Sequence, residues 1–322
     1  YNVDFTSDVA TRISTIAGGN GQGGNNNQLN YPRGLFVDAA GTIFIADTWE
    51  RRIQKWELGA TEGTTIISNL NSPVDVALDA SGNIYVVEEN DHSVVKYAAD
   101  GSNGQIVAGG NGEGSDLNQL WKPQGIFIDN NNLYIADYEN SRIMKWAPNA
   151  SEGEVVAGGN GEGDALNQFY RPKSVYVDNQ GNIYVVDQFR SRIMKWTPGA
   201  IQGEIAIPDH QGSNFEDVSV DASGAIYVLD AYYSSVNKFL PGASSGSVVA
   251  GGTRGTNENQ LNEPQGLFLD SVGNMYVSDT ENRRVQKYEV TPQIVIAAGE
   301  TSGTLTINAT DDDLYEVTES II

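Results

Sequence analysis

The chain contains no cysteine. Disulfides, thiol nucleophiles and Cys-ligated zinc are excluded together, although the compartment stays open. Histidine is nearly as scarce, with two residues, His92 and His210. Basic charge is short as well: 19 Lys and Arg stand against 42 Asp and Glu, a net charge of −23. Ten of the 19 recur at fixed places in a repeat (Lys55, Lys96, Lys145, Lys195, Lys238, Lys287, Arg52, Arg142, Arg192 and Arg284), so little remains for a free basic patch. Nucleic-acid binding requires phosphate neutralisation and is disfavoured. Anionic membranes are disfavoured for the same reason. No apolar run approaches the roughly 18 residues of a membrane helix, so membrane insertion is not expected. An initiator Met and a signal peptide are also lacking, which reads as a processed chain or a fragment. A strongly acidic, Cys-free chain rich in Asn and Gly suits an extracellular or cell-surface protein.

What is present is repetition. Residues 32–56 read PRGLFVDAAGTIFIADTWERRIQKW, and the pattern returns from Pro123 to Trp146, Pro172 to Trp196 and Pro264 to Tyr288. Weaker copies run from Pro73 to Tyr97 and from Phe215 to Phe239, giving six copies at a spacing of 41 to 50 residues. Such a period marks a repeat architecture. Within a copy, Leu35 and Val37 alternate with Gly34 and Phe36, the period of a strand. Asp38 to Gly41 is a turn, and Ile43-Phe44-Ile45 is a β-branched and aromatic second strand. A second turn at Thr48 to Arg51 leads to a third strand, Ile53 to Trp56. A fourth follows at Gln105–Ala108, Glu154–Ala157 and Ser247–Ala250, and near residues 64–67 for the first copy. Four antiparallel strands per copy, arranged radially, make a β-propeller blade. The sixth copy lacks its own outer strand. Residues 12–18 (RISTIAG) match that pattern, so they are predicted to complete the sixth blade and close the ring. Closure also hides sheet edges that invite aggregation.

P-x-G-φ-x-φ-D, then G-N-φ-Y-V-x-D, then N-x-R-φ-x-K-W resembles the NHL-repeat propeller over residues 12–290. The resemblance implies a six-bladed ring, in agreement with the six copies. The expected fold is therefore all-β: a propeller over residues 11–290, an N-terminal strand over 1–10, and a partial β-sandwich-like segment over 291–322. Some members of the family bind RNA, but this sequence lacks the surface charge for it.

Four connections between copies share a Gly-rich insert ending in Asn-Gln-Leu/Phe: residues 17–29, 108–120, 157–169 and 250–261. The connections into the second and fifth blades lack it, and those blades carry Ser93 and Ser235 where the others carry Arg. Copies three apart are offset by 140 to 142 residues (172 against 32, 215 against 73, 264 against 123), which points to a duplicated three-blade unit.

At the N-terminus Tyr1, Val3 and Phe5 alternate with polar residues, a half-buried strand pattern without an obvious partner. After Tyr288 the blade motif stops. Residues 292–322 read as strand, turn, strand (304–309), acidic turn and a strand starting near Glu319. The run AGETSGTLTINATDDDLYEVTE resembles part of a Calx-β sandwich over roughly 25 residues, too few for a complete sandwich of about seven strands.

Candidate sites follow. Asp47, Asp137, Asp187, Asp230 and Asp279, with Glu88 in blade two, form a recurrent carboxylate position. Four of them precede an Arg by five residues, so bracing of the turn by a carboxylate–guanidinium pair is expected rather than a metal ring. The aromatic that closes each third strand is expected to pack between blades. The inserts lack the Lys-Ser/Thr and helix of a phosphate loop. They are expected to cross one face, with Asn and Gln side chains bonding backbone. Amidating-lyase relatives of such propellers hold a metal with histidines at the ring centre. Three such ligands are missing here, and His92 and His210 read as solvated loop residues. Gluconolactonase-like propellers hold a divalent cation with Glu, Asn and Asp, and no matching set is recognisable. Asp311, Asp312, Asp313, Glu316 and Glu319 supply the hard oxygens calcium prefers, where the Calx-β resemblance implies calcium can bind. No other cofactor is indicated. Asn149-Ala150-Ser151 and Asn308-Ala309-Thr310 are glycosylation sequons, at Asn149 and Asn308.

These residues give no nucleophile–base pair, so the leading expectation is a non-enzymatic extracellular module. It would self-associate into a fibre, or join neighbouring domains of its own chain, by β-strand complementation. The assembly residues would be Tyr1, Val3 and Phe5 against Ile294, Ile296, Leu305, Ile307 and Ile321. Two alternatives stand beside it: a six-bladed hydrolase or lyase with an axial divalent metal, and a propeller that binds glycans or peptides through its inserts.

Overall fold

The computed structural model describes residues 12–290 except residue 211. Six four-stranded antiparallel sheets form the blades. Their inner strands are Pro32–Val37, Pro73–Leu78, Pro123–Asp129, Pro172–Val177, Phe215–Val220 and Gly266–Leu269 in blades 1 to 6. In blades 1 to 5 each sheet then follows the chain outward, strand by strand. Blade 6 takes its outer strand, Arg12–Gly18, from the beginning of the propeller, paired with Arg284–Glu289 in the register Arg12↔Glu289 to Gly18↔Arg284. The ring is thus closed as residues 12–18 predict. The described residues, 12–290, belong to one compact unit. The expected C-terminal sandwich-like segment and the expected N-terminal strand lie outside the described residues.

The second strands, such as Ile43–Asp47 and Ile183–Asp187, are buried at every residue, save for Asn132 at the start of the one in blade 3. Each lies between two blades, so both faces must be apolar, which explains their near-continuous Ile, Val and Tyr content. The core is accordingly six clusters, each shared by adjacent blades; one joins Trp56 and Ile45 of blade 1 to Tyr276 and Val285 of blade 6. The closing aromatics Trp56, Trp146, Trp196, Phe239 and Tyr288 are at most 3% exposed, as interblade packing requires. Each of the three Trp rings lies over a glycine at the start of the outer strand. A Cβ on Gly203 would come within 2.5 Å of Trp196, so no larger residue fits there.

The hairpin turns follow one rule. The Asp38 carboxylate accepts the N–H groups of Ala40 and Thr42 at 2.9 Å, and Gly41 adopts φ +79°. Asp79, Asp178, Asp221 and Asp270 repeat the arrangement. At the opposite end, the turn after each second strand is tied to the residues before the inner strand. Trp49 N–H donates to Asn30, Glu139 to Trp121 and Phe189 to Tyr170. Turns and inserts therefore share one face, here called the insert face. Among the described residues no helix is long and apolar enough to cross a membrane.

Candidate functional site

The recurrent carboxylates are braces. Arg52, Arg142, Arg192 and Arg284 donate from Nε to Asp47, Asp137, Asp187 and Asp279 at 2.7–2.8 Å. The other carboxylate oxygen accepts the N–H of Asn30, Trp121, Tyr170 or Asn262. The remaining guanidinium N–H groups reach back to carbonyls of the preceding insert, such as Gly24, Asn25 and Gln28 for Arg52. This explains why Arg and insert occur together. Blades two and five have neither; there Glu88 accepts Asn71 N–H, and Asp230 accepts three backbone N–H groups. Burial pushes the Asp47 carboxyl up to about 6 in spite of Arg52. Among the described residues no three His, Cys, Asp or Glu side chains come together as a metal site.

The axis carries a different set, which reading along the chain did not reveal. In blades 1 to 5 a register shift follows the first residue of the inner strand, as between Pro32 and Leu35 or Pro73 and Asp75. Such bulges re-aim side chains, here toward the channel. The first tier holds Arg33, Val74, Gln124, Lys173, Glu216 and Gln265 around a cavity of about 30 Å³. Arg33 and Lys173 both donate to Gln124 Oε1, at 2.8 and 3.0 Å. Lys173 lies 3.4 Å from Glu216, and Arg33 lies 3.8 Å from Glu89. Gln188 bridges Glu216 to the Tyr138 hydroxyl, which donates to it at 3.0 Å. Burial, and then the positive charge of Arg33, lowers the pKa of Lys173 against the pull of Glu216.

The second tier holds Asp75 and Asp217, from blades two and five, where blades one, three and six have Gly34, Gly125 and Gly266. Each Asp clips its neighbouring blade: Ile126 N–H donates to Asp75 at 2.8 Å and Leu267 N–H to Asp217 at 2.7 Å. Ser174 donates to Asp217 at 2.6 Å. A Cβ on Gly34 would overlap Asp75, so glycine is required beside the carboxylate. Burial raises Asp75 to about 7, with the charge of Asp217 adding to it, and burial raises Asp217 to about 6. Both carboxyls lie deep within the ring, yet they line the channel and are only partly shielded from it. The signal was present in the sequence as PVDVAL and FEDVSV, where the other inner strands have Gly or Ser.

The insert face also bears exposed aromatic side chains. Trp49 is 56% exposed, Phe189 52%, Tyr232 65%, Tyr233 51% and Trp121 39%. Tyr31 stacks on Trp49 at 4.6 Å and 5° between planes. Tyr170 lies 5.2 Å from Phe189. Arg171 sits over the rings of Phe189 and Tyr138, and Arg190 over Tyr170.

The sequence-predicted positions fare unevenly. The inserts cross the face as expected: Asn20 and Gln28, like Asn160 and Gln168, donate from their amides to backbone carbonyls within the insert. The histidines correct their reading as solvated. The His92 side chain is 17% exposed and lies 3.7 Å from Glu113, and its Nδ1 accepts Lys122 N–H at 3.1 Å. His210 packs on Phe215 and Phe239. Each is held because its loop folds back on a neighbouring strand or insert. Asn149 is exposed in a turn with φ +61°. Asn308, the acidic positions Asp311, Asp312, Asp313, Glu316 and Glu319, and every assembly residue from Tyr1 to Ile321 lie outside the described residues.

Comparison with known proteins supports the propeller. A profile of the NHL repeat matches residues 70–97, which span the first three strands of blade 2. Among curated protein sequences none matches this chain. A protein of unknown function from Bacteroides thetaiotaomicron superposes with a TM-score of 0.69 at 19% identity, over 87% of this chain and 76% of its own. A gluconolactonase from Xanthomonas campestris gives 0.66 at 13% over 87% and 90%. Virginiamycin B lyase from Staphylococcus aureus gives 0.58 at 11% over 88% and 89%. At such identities the likeness establishes the fold alone. It also corrects the expectation of a non-enzymatic module, because propellers of this build include a lactonase and a lyase. The absence of a catalytic motif carried no weight against enzymes: a ring assembles its axial site from one residue per blade, spread here from Arg33 to Gln265, and no local motif forms.

Proposed function

We propose that the protein binds a neutral carbohydrate chain across the insert face, centred on the axial mouth. The observation that carries this reading is the set of exposed aromatics on the insert face, which also holds the axial mouth with its mixed donors and acceptors. Flat, weakly hydrated rings match the C–H faces of sugars and lose little entropy on binding. Arg33, Gln124, Glu216 and Gln265 offer the polar contacts that orient such a ligand. The net charge of −23 works against a polyanion. Polysaccharides are met outside cells, which agrees with the extracellular location expected from composition. The terminal strand patterns would then serve to array such heads.

Three of the five Trp, residues 56, 146 and 196, are buried, so Trp49 and Trp121 report on the insert face. Titration with neutral oligosaccharides is expected to change tryptophan fluorescence. Trp49→Ala and Trp121→Ala should each weaken binding about tenfold, the scale of an interface hot spot. Unchanged binding in both variants overturns the reading. A second reading, acid–base chemistry on the bound ligand, is favoured by Lys173, whose lowered pKa and position beside Glu216 suit proton transfer. Release of shortened sugars by the wild type but not by Lys173→Met would establish it.

A further inference from the structure

The opposite end of the axial channel opens into a second cavity of about 280 Å³, below Asp75 and Asp217. Its walls come from one tier of the inner strands: Phe36, Ala77, Phe127, Tyr176, Ser219 and Phe268. The two small residues belong to blades two and five, the same blades that supply the carboxylates. The four aromatics fall into two pairs of neighbouring blades. Phe268 of blade 6 meets Phe36 of blade 1 at 5.1 Å and 64°, and Phe127 of blade 3 meets Tyr176 of blade 4 at 4.8 Å and 56°. The pairs face one another across a gap kept open by Ala77 and Ser219.

The chemistry of this lining is one-sided. Aromatic rings present negative faces, Asp75 and Asp217 stand at the inner end, and among the described residues no Lys or Arg lines the cavity. Part of each carboxylate is already committed: Asp75 accepts two backbone N–H groups, and Asp217 accepts two together with the Ser174 hydroxyl. A carboxylate offers about four lone-pair sites, so acceptor capacity remains on both. A hard divalent cation would need six or more oxygens, and the surrounding hydrocarbon cannot replace its water. A soft organic cation has no such requirement and gains from each ring face it meets.

We propose that this cavity binds a small quaternary ammonium ion of choline size, its methyl groups against the four rings and its charge toward Asp75 and Asp217. The site lies on the far side of the carboxylate tier from the insert face, and the inference does not rest on carbohydrate binding there.

The test uses the full chain and two probes of the same shape. Choline and its neutral isostere 3,3-dimethylbutan-1-ol are titrated by calorimetry near pH 8. Choline is expected to bind at least about tenfold more tightly, as the cation–π scale implies. Equal affinity for the two would reduce the site to an apolar hole and overturn the proposal, as would failure of choline to bind. Asp75→Asn should weaken choline and leave the alcohol unaffected. Ser219→Phe should abolish both by filling the gap. Should Asp75→Asn fail to fold, the two probes on the wild type still decide the question.

Discussion

Removing the charge of Asp75 should flatten the pH dependence of folding. The Asp75 carboxyl has its pKa raised from 3.8 to about 7, chiefly by burial. A carboxyl raised in the folded state binds its proton more tightly there than in the unfolded chain. Its contribution is therefore fully present below the unfolded pKa and is lost as pH rises through the folded one. Between pH 5 and pH 7 the folded protein keeps the proton that the unfolded chain has already released. That window is about two pH units, and at about 1.36 kcal/mol per unit it amounts to roughly 2 to 3 kcal/mol. Access of channel water makes this an upper figure. The amide introduced by Asp75→Asn replaces an acceptor with a donor beside the Ile126 and Val76 N–H groups, at a cost of about 1–3 kcal/mol. That cost does not vary with pH, so it cancels when each protein is compared with itself. Urea unfolding at pH 5 and pH 8 measures the difference. Wild type should lose about 2 to 3 kcal/mol more than Asp75→Asn between the two. Asp47 and Asp217, also raised, contribute to both proteins with the same sign. Identical losses would show that Asp75 does not hold a proton in the folded ring.

Arg142→Ala should cost about 3–5 kcal/mol, because it strands the buried Asp137 carboxylate and frees the insert carbonyls of Ser115, Asp116 and Gln119. A fall in Tm of roughly 10 °C by calorimetry is expected, and a change near zero would remove the brace from the account. Deleting residues 1–18 exposes the paired edge of Arg284–Glu289 with the buried Val285 and Tyr288. The product should self-associate in light scattering; a monomer with an unchanged unfolding midpoint would mean the ring does not need its clasp.

The blades could be read in the sequence because each is local. Alternation, an Asp-x-x-Gly turn and a closing aromatic recur within about 25 residues of chain, and the same physics acts on every copy. The Asp–Arg braces were legible for the same reason, five residues apart on paired strands. Asp75 and Asp217 were not, because their meaning arises across the ring, where six residues separated by whole blades converge. Reading the third residue of every repeat as a column would have shown two Asp, three Gly and one Ser. The exposed aromatics occupy turns where nothing repeats, so Trp49 and Tyr233 had no pattern to betray them. His92 misled because its sequence neighbours are polar, while the contacts that hold it, with Lys122 and Glu113, come from the next insert.

The pairing of Arg12 with Glu289 sets how this ring would bear tension. Both strands of the clasp leave the propeller at the same end of an antiparallel ladder. A pull applied through them would load the hydrogen bonds one after another, as in a zipper, and not all at once, as in a lap joint. Ile13, Ile16 and Ala17 would leave the two cores that flank blade 6, while the other four cores remained untouched. Strung on a stretched chain, the ring would yield early at one seam, lengthen by a single strand, and recover its shape when the load is released.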